Sequence, residues 1–328
     1  MPQSDVRELV DQLNRTAIEN ARQLELERAM RLDVILLDTT CIEANIHFPT
    51  DWVLLRDAVR TLMTQSRRRK DSEKRRKLVL RRMKVLAKQV QTHAQRYAQQ
   101  LQSDWQEQTD LHEGEMKQIV TRIKVIVEQL PAAIKQAHER IIGGRKLENN
   151  EKILSLYEPD VHVIVRRKAG AEVEFGNTLL LVEQEDGLIV DWKLNKEISP
   201  GDIALMQESL QRIKKALGRY PTAVGGDRGF ASKASHRWLE SEGIFDVNCP
   251  RDPQELAQRM QDPTFRNIQK RRAQTEARIG IVKNAFLGAP LRSKGFEHRE
   301  LTVTWAVLAH NLCLLADLPK KPALAKAA

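Results

Sequence analysis

The stretch "VGGDRGFASK" (224–233) follows a short apolar run, with two glycines before an acid and an Arg-Gly-Phe step after it. Gly and Asp punctuate the passage from strand to helix, so by itself the stretch reads as a β-turn. A second segment closes in a similar way. "LDVILLDTT" (32–40) is a β-branched and leucine run of the kind a buried strand shows, stopping at Asp38. Two strands that each end in a carboxylate bring Asp38 and Asp227 to the C-terminal edge of an open α/β sheet, where such sheets collect ligands and catalytic groups. Two acids there repel, so they require a cation, unusual protonation or intervening water.

Around these segments the hydrophobic period alternates between two and 3.6. "DVHVIV" (160–165), "NTLLLVEQ" (177–184) and "LIVDWKL" (188–194) read as strands, the last two joined by a tight turn at Asp186 and Gly187. "SPGDIALMQESLQRIKKALG" (199–218) is an amphipathic helix that leads into the Asp227 strand. A helix over 231–242, a short strand "IFDVNC" (244–249), a polar loop, a helix over 266–286 and an apolar helix "TVTWAVLAHNLCLLA" (302–316) follow. The N-terminal residues 4–30 carry one helical stripe.

Between 52 and 142 the texture becomes long charged helix. It reads as two antiparallel helices turning near "LQSDWQEQTD" (101–110), with Ser103 and Thr109 as caps and a kink or break at Pro131. The expected organisation is residues 1–50 as N-terminal helix and first strand, 51–143 as a helical insertion between the first and second strands, 144–318 as the rest of the sheet domain, and 319–328 as a disordered tail. The fold class is α/β, a mixed five-stranded sheet with flanking helices.

Lys and Arg outnumber Asp and Glu 54 to 44, a formal charge of +10, which favours a polyanionic partner such as nucleic acid. Cys41, Cys249 and Cys313 match no paired-thiolate spacing, which fits a reducing cytosol. No apolar run is long enough for a signal peptide or a membrane span, so a cytoplasmic, nucleoid-associated location is expected.

The third acid-bearing element is "RRAQTEARIGIVKNAF" (271–286). At about 100° per residue, Arg272, Glu276 and Lys283 fall within roughly 40° of one another, with Ala277, Ile281, Val282 and Ala285 gathered opposite as the packing face. A solvated face with one Arg–Glu pair is the competing reading. Three carboxylates from two strand ends and a helix suit hard divalent cations such as Mg²⁺. Two such ions would serve phosphodiester hydrolysis, with Arg272 and Lys283 holding phosphates alongside.

These blocks resemble the DDE transposases of bacterial insertion sequences, the branch related to the insertion sequence 4 and 5 groups and the ISNCY elements. "LLDTTCIEANIHFPTDWVLL" (36–55) is similar to that family's first-aspartate block, "EFGNTLLLVEQEDGLIVDWKL" (174–194) to its hairpin, "GGDRGF" (225–230) to its second-aspartate block, and residues 271–286 to its glutamate block. The family spaces Tyr, Arg, Glu and Lys around the glutamate. Arg272, Glu276 and Lys283 keep that spacing, while Gln269 stands in the tyrosine's place. The resemblance implies a ribonuclease H-like (retroviral-integrase-like) fold and makes Asp38, Asp227 and Glu276 the metal-binding catalytic triad. It further implies two Mg²⁺ ions, replaceable by Mn²⁺, that support hydrolysis at the ends of a mobile element and strand transfer into target DNA. The partners it implies are double-stranded DNA, as element ends and target, and a second copy of the chain on that DNA.

Gly225 and Gly226 are read as giving a DNA phosphate access to Asp227, with Arg228 bracing the acid or the phosphate. The basic run "SRRRKDSEKRRKLVLRRMKVLAK" (66–88) adds Arg67, Arg68, Arg69, Lys70, Arg75 and Arg76 as phosphate contacts, and "LRSKGF" (291–296) adds Arg292 and Lys294. His47 and Asp51 are read as loop residues, Glu43 and Asp191 as spare acids, and Trp192, Trp238 and Trp305 as packed aromatics, Trp305 in the core. Two functional alternatives are a nuclease of the same fold without strand transfer, and a DNA-binding protein that has lost turnover.

Overall fold

The computed structural model describes residues 3–23, 33–46, 73–108, 111–141, 143–168, 171–288 and 291–317. The chain divides into two compact units, one made of residues 1–45 with 164–328 and the other of residues 46–163.

The first unit is built on a mixed sheet. Strand β1 (Val34–Glu43) runs antiparallel to β3 (Ala171–Gln184), in register from Ile35 with Gln184 to Glu43 with Gly176. On its other side β1 runs parallel to β5 (Ala223–Gly225), from Val34 with Ala223 to Leu36 with Gly225, and β6 (Phe245–Asp246) continues that parallel edge. Strand β4 (Ile189–Leu194) pairs antiparallel with β3, and β2 (His162–Lys168) pairs with β3 as well. The sheet therefore has six strands where the sequence led us to expect five. The sixth is β2, at the 160–165 segment, which the fourteen-residue β3 takes as a partner beside β1 and β4.

The consecutive burial of Ile35, Leu36 and Leu37 follows from helices on both faces of the sheet. Alternation sends Ile35 and Leu37 to one face. There they pack with Leu205, Met206, Leu210 and Ile213 of α4 (Asp202–Leu217) and Leu239 of α5 (Lys233–Ser241). Leu36 goes to the other, against Phe265 and Ile268 of α7 (Pro263–Ile281). Further along that face Ile42, Leu179 and Leu181 meet Ile279 of α7 and Val303 and Val307 of α8 (Phe296–Asp317). Helix α1 (Gln3–Gln23) lies along α8, with Arg7 paired to Glu300 and the Asn311 amide donating to Asn14. Helix α6 (Pro253–Arg259) occupies what the sequence suggested was a polar loop. Asp252 caps it by accepting from the Gln254 amide, and Pro253 opens it. Asp262 and Pro263 do the same for α7, which ends in a π-helical turn over 282–287.

The second unit contains α2 (Glu73–Gln108) and α3 (Glu113–Ile141). Ala98, Leu101 and Trp105 of the first face Met116, Ile119, Val120 and Ile123 of the second. Helix α3 runs on through Pro131 rather than stopping there. Ser103 is no cap. Its hydroxyl donates to the Gln100 carbonyl inside α2, and the irregularity falls at Asp104, at φ −123°. Thr109 lies outside the described residues. Among the described residues, no helix is long and apolar enough to cross a membrane.

Candidate active site

The parallel ladder between β1 and β5 ends at Leu36 and Gly225, and two residues further along the two chains stand Asp38 and Asp227. Asp38 does not end its strand. β1 continues to Glu43 because β3 holds it through Gly176, whereas β5 stops at Gly225. A gap thus opens along one edge of β1 where the acids begin. Each carboxylate is aimed by a backbone amide: Thr39 N donates to Asp38 Oδ1 at 2.7 Å, and Gly229 N donates to Asp227 Oδ1 at 2.7 Å.

A third aspartate joins them. Asp202 opens α4, and its Oδ1 accepts from the Thr39 hydroxyl at 3.2 Å. Its Oδ2 lies 2.2 Å from where a Cβ on residue 229 would stand, and Asp227 Oδ1 lies 2.9 Å from the same point. Gly229 is therefore the glycine that this arrangement requires. Gly225 and Gly226 were expected to open access for a phosphate, yet both are buried in packing. A Cβ on Gly225 would meet Leu36 at 2.9 Å, and one on Gly226 would meet Phe230 at 2.7 Å and Asn248 at 2.9 Å. They let layers approach. Sequence reasoning missed Asp202 because Pro-Gly-Asp before an amphipathic run reads as an ordinary helix start with an acid in its first turn.

Glu276 rides on α7, whose packing face differs from the one expected. The buried stripe is Phe265, Ile268, Thr275, Ile279 and Val282, while Ala277 and Ile281 are exposed. Counting about 100° per residue from that stripe puts Arg272, Glu276 and Lys283 on its flank rather than opposite it. The flank runs beside the sheet. Lys283 Nζ donates to the Cys41 carbonyl of β1 at 3.0 Å, three residues beyond Asp38. Glu276 is exposed and pairs with Arg272 at 3.2 Å. Gln269 donates its side-chain amide to the Val247 carbonyl.

The structure thus brings Asp202 and Asp227 to one gap and ties Asp38 to it through Thr39. Among the described residues, no group of three or more His, Cys, Asp or Glu side chains is disposed to hold a metal ion. The donors nevertheless suit a hard cation in kind, since carboxylate oxygens of Asp202 and Asp227 both lie close against Gly229.

The remaining candidates scatter. Arg228 is exposed, with its carbonyl accepting from Arg251 Nε at 3.0 Å, and Arg292 and Lys294 are exposed before α8. Arg75 and Arg76 belong to α2. Arg67, Arg68, Arg69, Lys70, His47 and Asp51 lie outside the described residues. Of the spare acids, Asp191 accepts from Arg212 through both carboxylate oxygens and from Ser209, a structural role. Glu43 gives its carbonyl to the Leu291 amide. Trp192 is buried and Trp238 packs against Tyr220, but Trp305 is 48% exposed on α8 and is not core.

No curated protein and no solved structure matches the chain. A family model does: residues 162–312, just under half of the chain, are similar to the transposase DDE domain, and they include Asp202, Asp227, Glu276 and Lys283.

Proposed function

We propose that the chain is a DDE transposase that hydrolyses phosphodiesters at the ends of a mobile DNA element and transfers the freed 3′ ends into target DNA. The observation that carries this reading is the coincidence of the family match over 162–312 with two acids placed one strand apart at the open edge of a mixed sheet. The strand sequence β4-β3-β1-β5-β6, antiparallel on one side of β1 and parallel on the other, supports a ribonuclease H-like core. Asp38, Asp227 and Glu276 are the proposed triad. They would hold two Mg²⁺ or Mn²⁺ ions, whose chemistry is activation of a water and stabilisation of the leaving oxygen.

The chain's own residues do the positioning. The Thr39 and Gly229 amides orient the Asp38 and Asp227 carboxylates, and the Lys283 ammonium fastens the π-helical end of α7 to β1 at Cys41. Arg272 and Lys283 offer cations on the flank that carries Glu276, where a DNA phosphate would lie. Arg228, Arg292 and Lys294 extend the phosphate-binding surface, and residues 67–70 with Arg75 and Arg76 add contacts from the helical insertion. A homodimer on DNA, each copy working on one element end, completes the proposal.

The test is incubation of the full chain with Mg²⁺ and a labelled duplex bearing the terminal repeats that flank its reading frame, beside Asp227→Asn and Glu276→Gln. Wild type is expected to give cleaved 3′-hydroxyl ends and joined products, and the variants at least about 100-fold less of both. Cleavage without joining would establish the nuclease reading instead. Identical products from all three proteins would remove the triad.

A further inference from the structure

We infer that α2 is a DNA-reading helix whose outer stripe lies in the major groove of a duplex, with Arg81, Lys84 and Lys88 against phosphates and Gln95, Gln99 and Gln102 against base edges. The inference rests on the transposase reading for which DNA is bound, and on α2 itself for how. These residues lie outside the family match and beyond the phosphate contacts proposed above for the helical insertion.

Burial decides which face of α2 is available. Ala87, Ala98 and Leu101 are buried, and Ala98, Leu101 and Trp105 pack against α3. Counted at about 100° per residue, the three cations and three glutamines fall within roughly 80° of one another, clear of that packed stripe. All six are exposed. Among the described residues, none of the three cations is held in an ion pair and none of the three amides has a hydrogen-bond partner. The groove beside the amides, about 670 Å³, has Lys124 and Glu128 on its α3 side, so the acid-free surface belongs to α2 alone.

A solvated helical face mixes both signs, because like charges one turn apart destabilise the helix that carries them. Helix α3 follows that rule: Lys117 pairs with Glu113 at 2.6 Å and Lys135 with Glu139 at 3.8 Å. In α2, residues 74–103 hold nine Lys or Arg and no Asp or Glu. Lys84 stands one turn from both Arg81 and Lys88, so the stripe repels itself until a polyanion neutralises it. Cations and amides then occupy successive lengths of the same stripe. Lys and Arg hold phosphates at any sequence, whereas a Gln amide donates and accepts at once and fits the N6 and N7 edge of adenine in a groove wide enough for an α-helix. From Gln95 to Gln102 the helix rises about 10 Å, the rise of about three base pairs. That length suits the reading of a short adenine-containing step.

The experiment is fluorescence anisotropy of the full chain in EDTA over a series of salt concentrations. One labelled duplex bears the terminal repeats that flank the reading frame, and the other a shuffled sequence. Withholding divalent metal separates binding from cleavage. Two triple variants accompany wild type: Arg81→Ala with Lys84→Ala and Lys88→Ala, and Gln95→Ala with Gln99→Ala and Gln102→Ala. Alanine suits an exposed helical position, and circular dichroism checks that each variant folds. Wild type is expected to prefer the terminal duplex. The cation variant should bind both duplexes about 10-fold or more weakly, with a double-logarithmic salt slope smaller by about 2 to 3. The glutamine variant should bind the shuffled duplex as wild type does and lose about 10-fold or more of the preference. Unchanged affinity and slope in the cation variant, or an intact preference in the glutamine variant, would overturn the inference. So would a wild type without preference, or one that binds a single strand or an RNA duplex as tightly. Self-association lost in the variants while DNA binding stays intact would give the stripe to a second copy of the chain instead, and would also overturn it. Failure of the transposase reading would look different: α2-dependent binding to the terminal duplex by a protein that, given Mg²⁺, leaves it uncut.

Discussion

Replacing Gly176 by alanine should break the half of the sheet that carries Asp38. Beyond Leu36, β1 has lost β5 and depends on β3, with Glu43 paired opposite Gly176 and the Ala44 amide donating to the Phe175 carbonyl at 3.0 Å. A Cβ on residue 176 would stand 2.0 Å from the Ile42 carbonyl oxygen and 2.9 Å from Cys41 Sγ. The first of these atoms is backbone and cannot rotate away. A carbon and an oxygen need about 3.2 Å, so the two strands must part by about 1 Å, at an overpacking cost of 1–3 kcal/mol plus about 1 kcal/mol for a weakened ladder bond. The expected total is about 3 kcal/mol, which lowers the unfolding temperature by about 6–12 °C for a unit of this size. Gly280→Ala is the matched control in the same unit. Nothing lies within 4 Å of its Cβ position in α7, so it should be neutral or stabilising by up to about 1 kcal/mol. Urea unfolding followed by tryptophan fluorescence and circular dichroism measures both. If Gly176→Ala unfolds within about 0.5 kcal/mol of wild type, the close approach of β1 and β3 is wrong, and with it the account of how Asp38 is held.

Two other outcomes follow from the polar groups between β3, α7 and α8. Glu183 is 2% exposed and pairs with Arg278 at 3.0 Å, so Arg278→Met, which strands a buried carboxylate, should cost about 3–5 kcal/mol in urea unfolding; a loss below about 1 kcal/mol would refute the pair's importance. His310 is held below its ordinary value by burial, with Arg278 acting in the same direction and the Asn311 hydrogen bond opposing. The unfolded chain therefore takes up that proton first, so His310 contributes fully above about pH 6.5 and loses its contribution as pH falls through the lowered folded value. His310→Gln should flatten the fall in stability over that window, and an unchanged pH profile would count against the burial.

Much of the architecture was legible because hydrophobic period is a local property. The apolar runs in 177–184 and 188–194 gave two strands and the turn at Asp186 and Gly187 between them, where the Gly187 amide donates to the Gln184 carbonyl. The charged helical texture between 52 and 142 gave α2 and α3, although the cap at Ser103 did not follow, because a Ser inside a helix can return its hydroxyl to the preceding turn. Helix α6 was hidden by its brevity and polarity, with no buried residue to mark it. Trp305 was misjudged because an apolar helix offers more than one packing face, and here α1 and the sheet take the others.

The amino-acid sequence by itself determined that an apolar run leads to each of two aspartates, that a helix carries Arg272, Glu276 and Lys283 at fixed spacing, and that these elements occur in one order along the chain. Tertiary structure decided the rest. Only strand pairing shows that β5 ends two residues short of Asp227 while β1 runs five residues past Asp38, which opens the edge on which the acids stand. Only packing shows that α7 turns Thr275 inward, leaving Glu276 exposed and paired with Arg272 of its own helix. Asp202 stands far in sequence from Asp38 and next to a helix start, so no local pattern sets it apart. It meets Thr39 and the Gly229 loop because α4 packs across the sheet from Leu205 to Ile213, and that burial fixes where the head of the helix must lie.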